Sequence, residues 1–146
     1  MLTICVFLQW RRYMDSVVPK IRLSRSTNNL EKLINFYCNG LGFEVLDRYE
    51  AQVGWDGVIC GHKDWPYQFE FSQKRGEDEV PRAPTPNHFI VLSIPEHEVW
   101  KKTLGQLFDA GFQQVTNPQL YADGDSAAFE DPDGYRVIVR NGTWKK

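Results

Sequence analysis

The chain has 146 residues, of which 42% are hydrophobic and 25% charged, and its 17 basic and 19 acidic residues give a net charge of −2. This length predicts one domain with a real core, and the lack of a basic stripe argues against a nucleic-acid partner. No run of 18 apolar residues is present, which argues against a membrane partner.

The N-terminus and the cysteines bear on the location of the protein. Residues 1–18 contain an apolar stretch followed by two arginines, whereas a secretory signal carries its positive charge first and ends at a small-residue cleavage site. We therefore predict an N-terminal arm ahead of the domain, with a short interfacial anchor as the alternative. The cysteines are odd in number and widely spaced, which favours buried free thiols in a cytoplasmic protein. They are Cys5, Cys38 and Cys60.

The first half of the chain, residues 19–73, predicts the order β-α-β-β-β. Apolar-polar alternation predicts strands at 20–27 and 67–73, and two further strands around a turn are predicted at 43–50 and 54–61. Between the first two strands the period changes to that of a helix, with Asn28 as N-cap, Glu31 in a capping-box position and two glycines at the end. In the last strand, Tyr67 shares a face with two phenylalanines, and Glu70 lies on the other face.

The second half, residues 88–142, repeats this order after a proline-containing linker at 74–87. A helix is predicted at 95–111, with an apolar face of Val99, Leu104, Leu107 and Phe108. Strands are predicted at 88–94, 112–117, 126–131 and 135–141. In both halves a helix ends on glycine and phenylalanine opens the next strand, which indicates an internal duplication.

The predicted fold class is therefore α+β, with two βαβββ modules in one curved, mixed and mostly antiparallel sheet. Its helices are expected on the outer face, and its inner face forms a cleft suited to a small ligand.

Four stretches together resemble the vicinal oxygen chelate superfamily, which includes glyoxalase I, bleomycin-resistance proteins and extradiol dioxygenases. They are NNLEKLINFYCNGLGFEVL at 28–46, YQFEF at 67–71, NHFIVLSI at 87–94 and FEDPDGYRVIV at 129–139. The resemblance covers about residues 19–141. It implies a glyoxalase-like domain that often forms a homodimer, but no single function, because the superfamily contains unrelated enzymes and pure binders.

The resemblance also implies four metal-ligand positions, which fall on Arg22, Glu70, His88 and Ile138. Only Glu70 and His88 are metal-ligating types, because arginine repels a cation and isoleucine has no donor atom. The expected cofactor is therefore none, or a weakly bound divalent metal on Glu70 and His88. Dioxygenase chemistry is the least expected reaction, because it needs two histidines and a carboxylate.

The same residues suggest a binding cleft. Arg22 is expected to neutralise Glu70 across the cleft or to hold an anionic ligand, unless the pair only remains from a lost metal site. His88 is a candidate ligand-binding group or general base, or a hydrogen-bonded strand residue. Arg136 shares a strand face with Ile138 and is expected in the cleft or in solvent.

Three aromatic residues are candidates to line the cleft and stack on a flat ligand, with core packing as the alternative. They are Trp55, Tyr67 and Tyr121. Asp131, by contrast, is assigned to turn formation in Asp-Pro-Asp-Gly.

The expected function is the binding of a small polar or anionic molecule between Arg22, Glu70, His88 and Ile138. The enzymatic alternative is a glyoxalase-I-like lyase or isomerase, in which Glu70 or a group recruited with the substrate removes a proton next to a metal-polarised carbonyl. A third alternative is an interaction module whose own side chains fill the cleft.

Overall fold

The predicted order of elements is found in the computed structural model, which describes residues 19–76 and 79–143. The first module contains β1 (Ile21–Ser26), α1 (Leu30–Ile34) with a π-helical continuation (Asn35–Gly40), β2 (Glu44–Gln52), β3 (Trp55–Gly61) and β4 (Tyr67–Lys74). The second contains β5 (Phe89–Ile94), α2 (His97–Asp109), β6 (Gln114–Val115), a 3-10 turn (Gln119–Tyr121), β7 (Ser126–Glu130) and β8 (Arg136–Asn141). The predicted arm at residues 1–18 lies outside the described residues. Within the described ranges, no helix has the length and apolar character to cross a membrane.

The strands form two four-stranded sheets with the same topology, one in each module. Their orders are β1-β4-β3-β2 and β5-β8-β7-β6. The pairs β1–β4 and β5–β8 are parallel and the remaining pairs antiparallel. This confirms the predicted fold class of two βαβββ modules. Within the described residues, hydrogen bonding leaves β1 and β5 as edge strands, so the sheet is divided between the modules.

The core lies between the helices and one face of each sheet. Tyr37 of the π-helical segment is buried against Phe69 and Phe71 of β4, with ring centroids 5.5 and 4.6 Å apart. The second module contributes Val137 and Val139 of β8 to the same core. The period-two alternation of β4 therefore separates the core face from the face that carries Glu70.

The two helices approach each other closely at Gly40. A Cβ atom placed on Gly40 would lie 2.8 Å from Cδ2 of the buried Leu107 on α2. This glycine is therefore required by helix packing. The predicted apolar face of α2 is only partly correct, because Val99 and Phe108 are each 50% exposed.

The predicted N-cap is wrong by one residue. The side chain of Asn29 accepts a hydrogen bond from the Lys32 amide at 3.0 Å and caps α1. Asn28 instead pairs with the backbone of Val80, accepting from its amide at 2.7 Å and donating to its carbonyl at 2.8 Å. Asparagine is favoured at the N-cap position, so the sequence alone allows either residue to cap the helix. The contact of Asn28 with the linker at Val80 leaves Asn29 as the cap.

Candidate functional site

Glu70 and Ile138 define the inner face of the sheets, which lies opposite the core face. In the first module, β1 pairs Arg22 with Gln68 and Ser24 with Glu70. In the second module, Val91 of β5 pairs with Ile138. Because Cα partners on neighbouring strands point to the same face, Ser24 and Val91 are the direct neighbours of the two predicted ligand positions.

The expected neutralisation of Glu70 by Arg22 is not formed. Arg22 is exposed and donates from Nε and Nη2 to Oε1 of Gln68 at 3.3 and 2.8 Å. Glu70 instead accepts a hydrogen bond from the Tyr49 hydroxyl at 3.0 Å. Tyr49 is therefore a site residue that the sequence analysis missed, and Arg22 is held by its direct partner on β4.

Tyr49 reaches Glu70 by crossing over Gly57 of β3. A Cβ atom at Gly57 would lie 2.1 Å from Cζ of Tyr49, so only glycine leaves room for the ring. Burial, the hydrogen bond to Glu70 and the charge of Glu70 raise the pKa of Tyr49. Tyr49 thus remains a protonated donor on the carboxylate, and the arrangement is a fixed hydroxyl–carboxylate pair.

Ile138 is completely buried and lies between Val91 and Ala128 of the neighbouring strands. His88 precedes β5 and is exposed. Phe89 of β5, rather than His88, occupies the position equivalent to Arg22, because it pairs with Arg136 two residues before Ile138. His88 therefore does not have, relative to Ile138, the register position that Arg22 has relative to Glu70.

The positions of these side chains can be compared with the ligands that a divalent metal requires, since the superfamily resemblance implies such a metal. Over residues 19–76 and 79–143, no three His, Cys, Asp or Glu side chains are grouped so that they could hold a metal ion. Glu70 is engaged by Tyr49, and Ile138 offers no ligand atom. The donor set does not fit a metal that requires three or more protein ligands.

A cavity of about 550 Å³ lies between the edge strands β1 and β5, and we call it the seam pocket. Its lining combines apolar, neutral polar and basic side chains, including Leu23, Ser24, Arg25, His88, Phe89 and Arg136. His88 and Arg136 are thus predicted site residues that the structure brings together. Glu70 and Ile138 are not part of the lining, so the predicted four-residue site is divided between the seam pocket and the inner face.

The two arginines of the seam pocket are held by the protein around them. Arg25 forms an ion pair with Asp131, and its guanidinium lies 3.8 Å from the ring centroid of Tyr135. Arg136 donates from Nη1 to the Thr116 carbonyl at 3.3 Å. The Nε atoms of Arg25 and Arg136 are both buried and without a hydrogen-bond partner. Both guanidinium groups therefore have unused hydrogen-bonding capacity, and a buried donor without a partner lowers the stability of the fold.

The predicted aromatic residues fall in three different places. Tyr67 lies on the core face, where it stacks on Trp65 with centroids 5.3 Å apart. This position matches the core-packing alternative, because alternation puts Tyr67 on the face opposite Glu70. Trp55 lies on the Glu70 face but at the far end of β3, beside Lys74. Tyr121 packs edge-on against Phe89 of the seam pocket, with centroids 5.6 Å apart.

A second pocket, of about 360 Å³, lies at the start of α1. Its arginines already have anionic partners: Arg48 pairs with Glu31, and Nη2 of Arg75 lies 2.8 Å from Asp56. These charges are satisfied within the protein, so the seam pocket is the better candidate for ligand binding.

Residues 21–72 match the family described as the YycE-like N-terminal domain, and residues 87–141 match the YycE-like C-terminal domain. The uncharacterized protein YycE of Bacillus subtilis (strain 168) is 29% identical over 131 residues, which cover 90% of this chain and 94% of that protein.

Solved structures show the same fold. A crystal structure of a YycE protein of unknown function from Bacillus subtilis, named as a candidate glyoxalase/fosfomycin resistance protein, has a TM-score of 0.76 at 28% identity, over 87% of this chain and 91% of that one. The trypanothione-dependent glyoxalase I of Leishmania major has a TM-score of 0.65 at 17% identity, over 86% and 88% of the two chains. TnmS3, an antibiotic-binding protein from Streptomyces sp. CB03234, has a TM-score of 0.60 at 18% identity, over 88% and 98%.

Proposed function

The chain belongs to the vicinal oxygen chelate superfamily and carries the two YycE-like domains in order, and from this premise we propose that it binds a small anionic molecule with an apolar part in the seam pocket. The observation that supports this proposal is that two arginines, Arg25 and Arg136, line this pocket beside apolar side chains. A carboxylate or phosphonate group is a suitable partner for a guanidinium group.

The charge distribution favours an anion. The carboxylate of Asp131 is bound to Arg25, and Glu130 lies 4.0 Å from Nε of Arg136 at a partly exposed position. A partly exposed ion pair at this distance contributes little, so Arg136 is the cation most available to a ligand. His88 lines the same pocket and adds a second polar group at its rim.

The apolar part of the ligand would contact the opposite wall. Leu23 is 44% exposed, and Phe89 and Ile90 line the pocket from β5. The volume of about 550 Å³ lies within the range of small-molecule sites, about 300–1,000 Å³. The ligand expected from this lining is a monoanion or dianion that carries an aromatic or branched aliphatic group.

The structural neighbours include both an antibiotic-binding protein and an enzyme, and the donor set of this chain favours a binding role. A glyoxalase-like lyase or isomerase would need a metal held by several ligands, and the described side chains do not supply them. The antibiotic-binding neighbour is therefore the more useful comparison, and sequestration of a small molecule is the form of the function that we favour.

Phenylphosphonate and benzyl alcohol are suitable probes, because they share a phenyl ring and differ in charge. Isothermal titration calorimetry is expected to show binding of phenylphosphonate and not of benzyl alcohol. Arg136→Gln should weaken that binding by about 10-fold or more, because a charge-assisted hydrogen bond contributes about 1.5–3 kcal/mol. The matched control is Arg48→Gln, which changes an arginine of the other pocket and should leave binding unchanged.

Equal binding of the two probes, or equal affinity in Arg136→Gln and the parent protein, would contradict the proposal.

A homodimer and a cytoplasmic location remain predictions. The exposure of Ile21 (64%) on edge strand β1 supports a contact with a second copy, and light scattering of the purified protein measures the oligomeric state directly.

A further inference from the structure

Cys38 and Cys60 lie in contact although they come from different elements. Their Sγ atoms are 3.6 Å apart, with Cys38 in the π-helical segment and Cys60 in β3. Both are free thiols. The cysteine spacing predicts buried free thiols but not this contact, because the two positions are 22 residues apart in the chain.

The two thiols differ in accessibility. Cys60 is completely buried on the core face of β3, opposite Phe69 of β4. Cys38 is only partly buried, so one sulfur of the pair can meet a small solute. A small oxidant that reaches Cys38 therefore meets a second thiol directly behind it.

The two thiols also differ in acidity. The hydrogen bond between the two sulfurs lowers the pKa of Cys38. The same hydrogen bond, together with burial, raises the pKa of Cys60. Cys38 is therefore the sulfur that forms a thiolate, and the thiolate is the reactive form of cysteine.

We propose that Cys38 and Cys60 form a peroxide-sensitive dithiol that closes reversibly to an intramolecular disulfide. In the first step the Cys38 thiolate attacks one oxygen of a peroxide. A sulfur–oxygen bond forms, the oxygen–oxygen bond breaks, and hydroxide or alkoxide leaves. Cys38 becomes a sulfenic acid.

In the second step the sulfur of Cys60 attacks the sulfur of Cys38. A sulfur–sulfur bond forms, the sulfur–oxygen bond breaks, and the Cys60 proton leaves with the oxygen as water. The two thiols lose two electrons in total, and hydrogen peroxide gains them to give two waters. A dithiol reductant reverses the reaction by thiol–disulfide exchange.

Closure requires a short movement. A disulfide has a sulfur–sulfur distance of about 2.0 Å, so the sulfurs must approach by about 1.6 Å. Cys38 lies near the end of the π-helical segment, which ends at Gly40 and is followed by Gly42 at a φ of +77°. The new bond would tie this helix end to β3, where the preceding residue, Ile59, pairs with Glu70.

The experiment uses the full chain with Cys5→Ser, because Cys5 lies outside the described residues and would add a third thiol. This parent is treated with hydrogen peroxide, unfolded, alkylated and analysed by intact mass and peptide mapping. We expect both thiols to be lost, a Cys38–Cys60 linked peptide to appear, and dithiothreitol to restore both thiols. The oxidised parent should also unfold at a temperature several degrees higher than the reduced one, because a cross-link constrains the unfolded chain.

Two single variants separate the roles of the sulfurs. In Cys60→Ser, peroxide followed by dimedone should label Cys38, and the unfolding temperature should not rise. In Cys38→Ser, Cys60 should remain available for alkylation after unfolding.

Two results overturn the proposal in the parent protein alone, even if a single variant fails to fold. One is that both thiols remain free after peroxide treatment. The other is that Cys38 proceeds to sulfinic acid without a linked peptide. Neither result depends on ligand binding in the seam pocket, so this proposal and the proposed function can fail separately.

Discussion

Arg25 of β1 and Asp131 of the β7–β8 turn form an ion pair that joins the two modules. Asp131 is 2% exposed, and its Oδ2 atom also accepts a hydrogen bond from the buried hydroxyl of Tyr37 at 2.9 Å. Its Oδ1 atom accepts the turn amides of Asp133 and Tyr135. The aspartate that the sequence assigned to turn formation alone therefore also connects three separate segments of the fold.

Replacing this carboxylate should destabilise the protein strongly. Asp131→Asn keeps the shape of the side chain but leaves Arg25 as a buried cation without its anionic partner. Breaking a buried ion pair in this way costs about 3–5 kcal/mol. The free energy of unfolding, measured by urea denaturation, is expected to fall by about that amount.

The matched control is the pair between Arg82 and Glu130, whose side chains are 63% and 38% exposed. Glu130→Gln should change the free energy of unfolding by only about 0–1 kcal/mol, as for other exposed pairs. A similar loss in both variants would show that burial does not determine the contribution of Asp131.

The environment of Tyr37 predicts a loss of stability at alkaline pH. Burial and the charge of Asp131 raise the pKa of Tyr37 well above its usual value. In the unfolded chain tyrosine titrates near pH 10. The stability contributed by the protonated hydroxyl is therefore fully present below about pH 10 and is lost as the pH rises from there towards the folded-state pKa.

Urea denaturation from pH 7 to pH 11 tests this dependence. The parent should lose stability above about pH 10, and Tyr37→Phe should lose less over the same interval because the titrating group is gone. At pH 7 the variant should be less stable by about 1–2 kcal/mol, because Asp131 loses a donor. Equal slopes above pH 10 would assign the alkaline loss to other groups.

The fold was predictable from the sequence because its signals are local. Alternation in β4 separated Phe69 and Phe71 from Glu70, and the repeated glycine–phenylalanine helix exits indicated two modules. The same alternation already placed Tyr67 on the face of these two phenylalanines, which favoured core packing for its side chain. These features depend on the spacing of apolar residues and glycines, which can be recognised within a single segment of the sequence.

The site was predictable only in part, because its contacts are not local. His88 and Arg136 lie in the seam pocket, apart from Glu70 and Ile138, and Arg25 was missed because its role depends on Asp131, 106 residues later. Tyr49 was missed for a related reason. Strand β2 contains irregularities on both sides of Asp47–Tyr49, and such bulges shift the register that a period-two count assumes.

Gly57 is expected to be sensitive to any side chain, because Tyr49 fills the space above it. Gly57→Ala places a methyl group where the Tyr49 ring lies and should break the hydrogen bond to Glu70. Overpacking of this kind costs about 1–3 kcal/mol. Gly105→Ala is the control: a Cβ atom there meets nothing within 4 Å, and a helix-interior alanine should stabilise the protein by about 0.5–1 kcal/mol.

A double-mutant cycle checks that the cost at Gly57 comes from Tyr49. Tyr49→Ala removes the ring, so Gly57→Ala should cost less in that background than in the parent, and the two losses should not add. Additive losses in urea denaturation would show that the methyl group meets some other part of the structure.

Divalent metals are not expected to bind tightly at the inner face. Glu70 is the one carboxylate there at a predicted ligand position; Tyr49 engages it, Arg22 carries a positive charge, and Ile138 has no donor atom. Calorimetric titration with Mn²⁺ should therefore show no saturable binding at micromolar concentration, and a chelator should leave the unfolding midpoint unchanged. Glu70→Gln is the matched control. Tight stoichiometric binding to the parent that this variant abolishes would favour the metal-dependent lyase or isomerase over the binding protein.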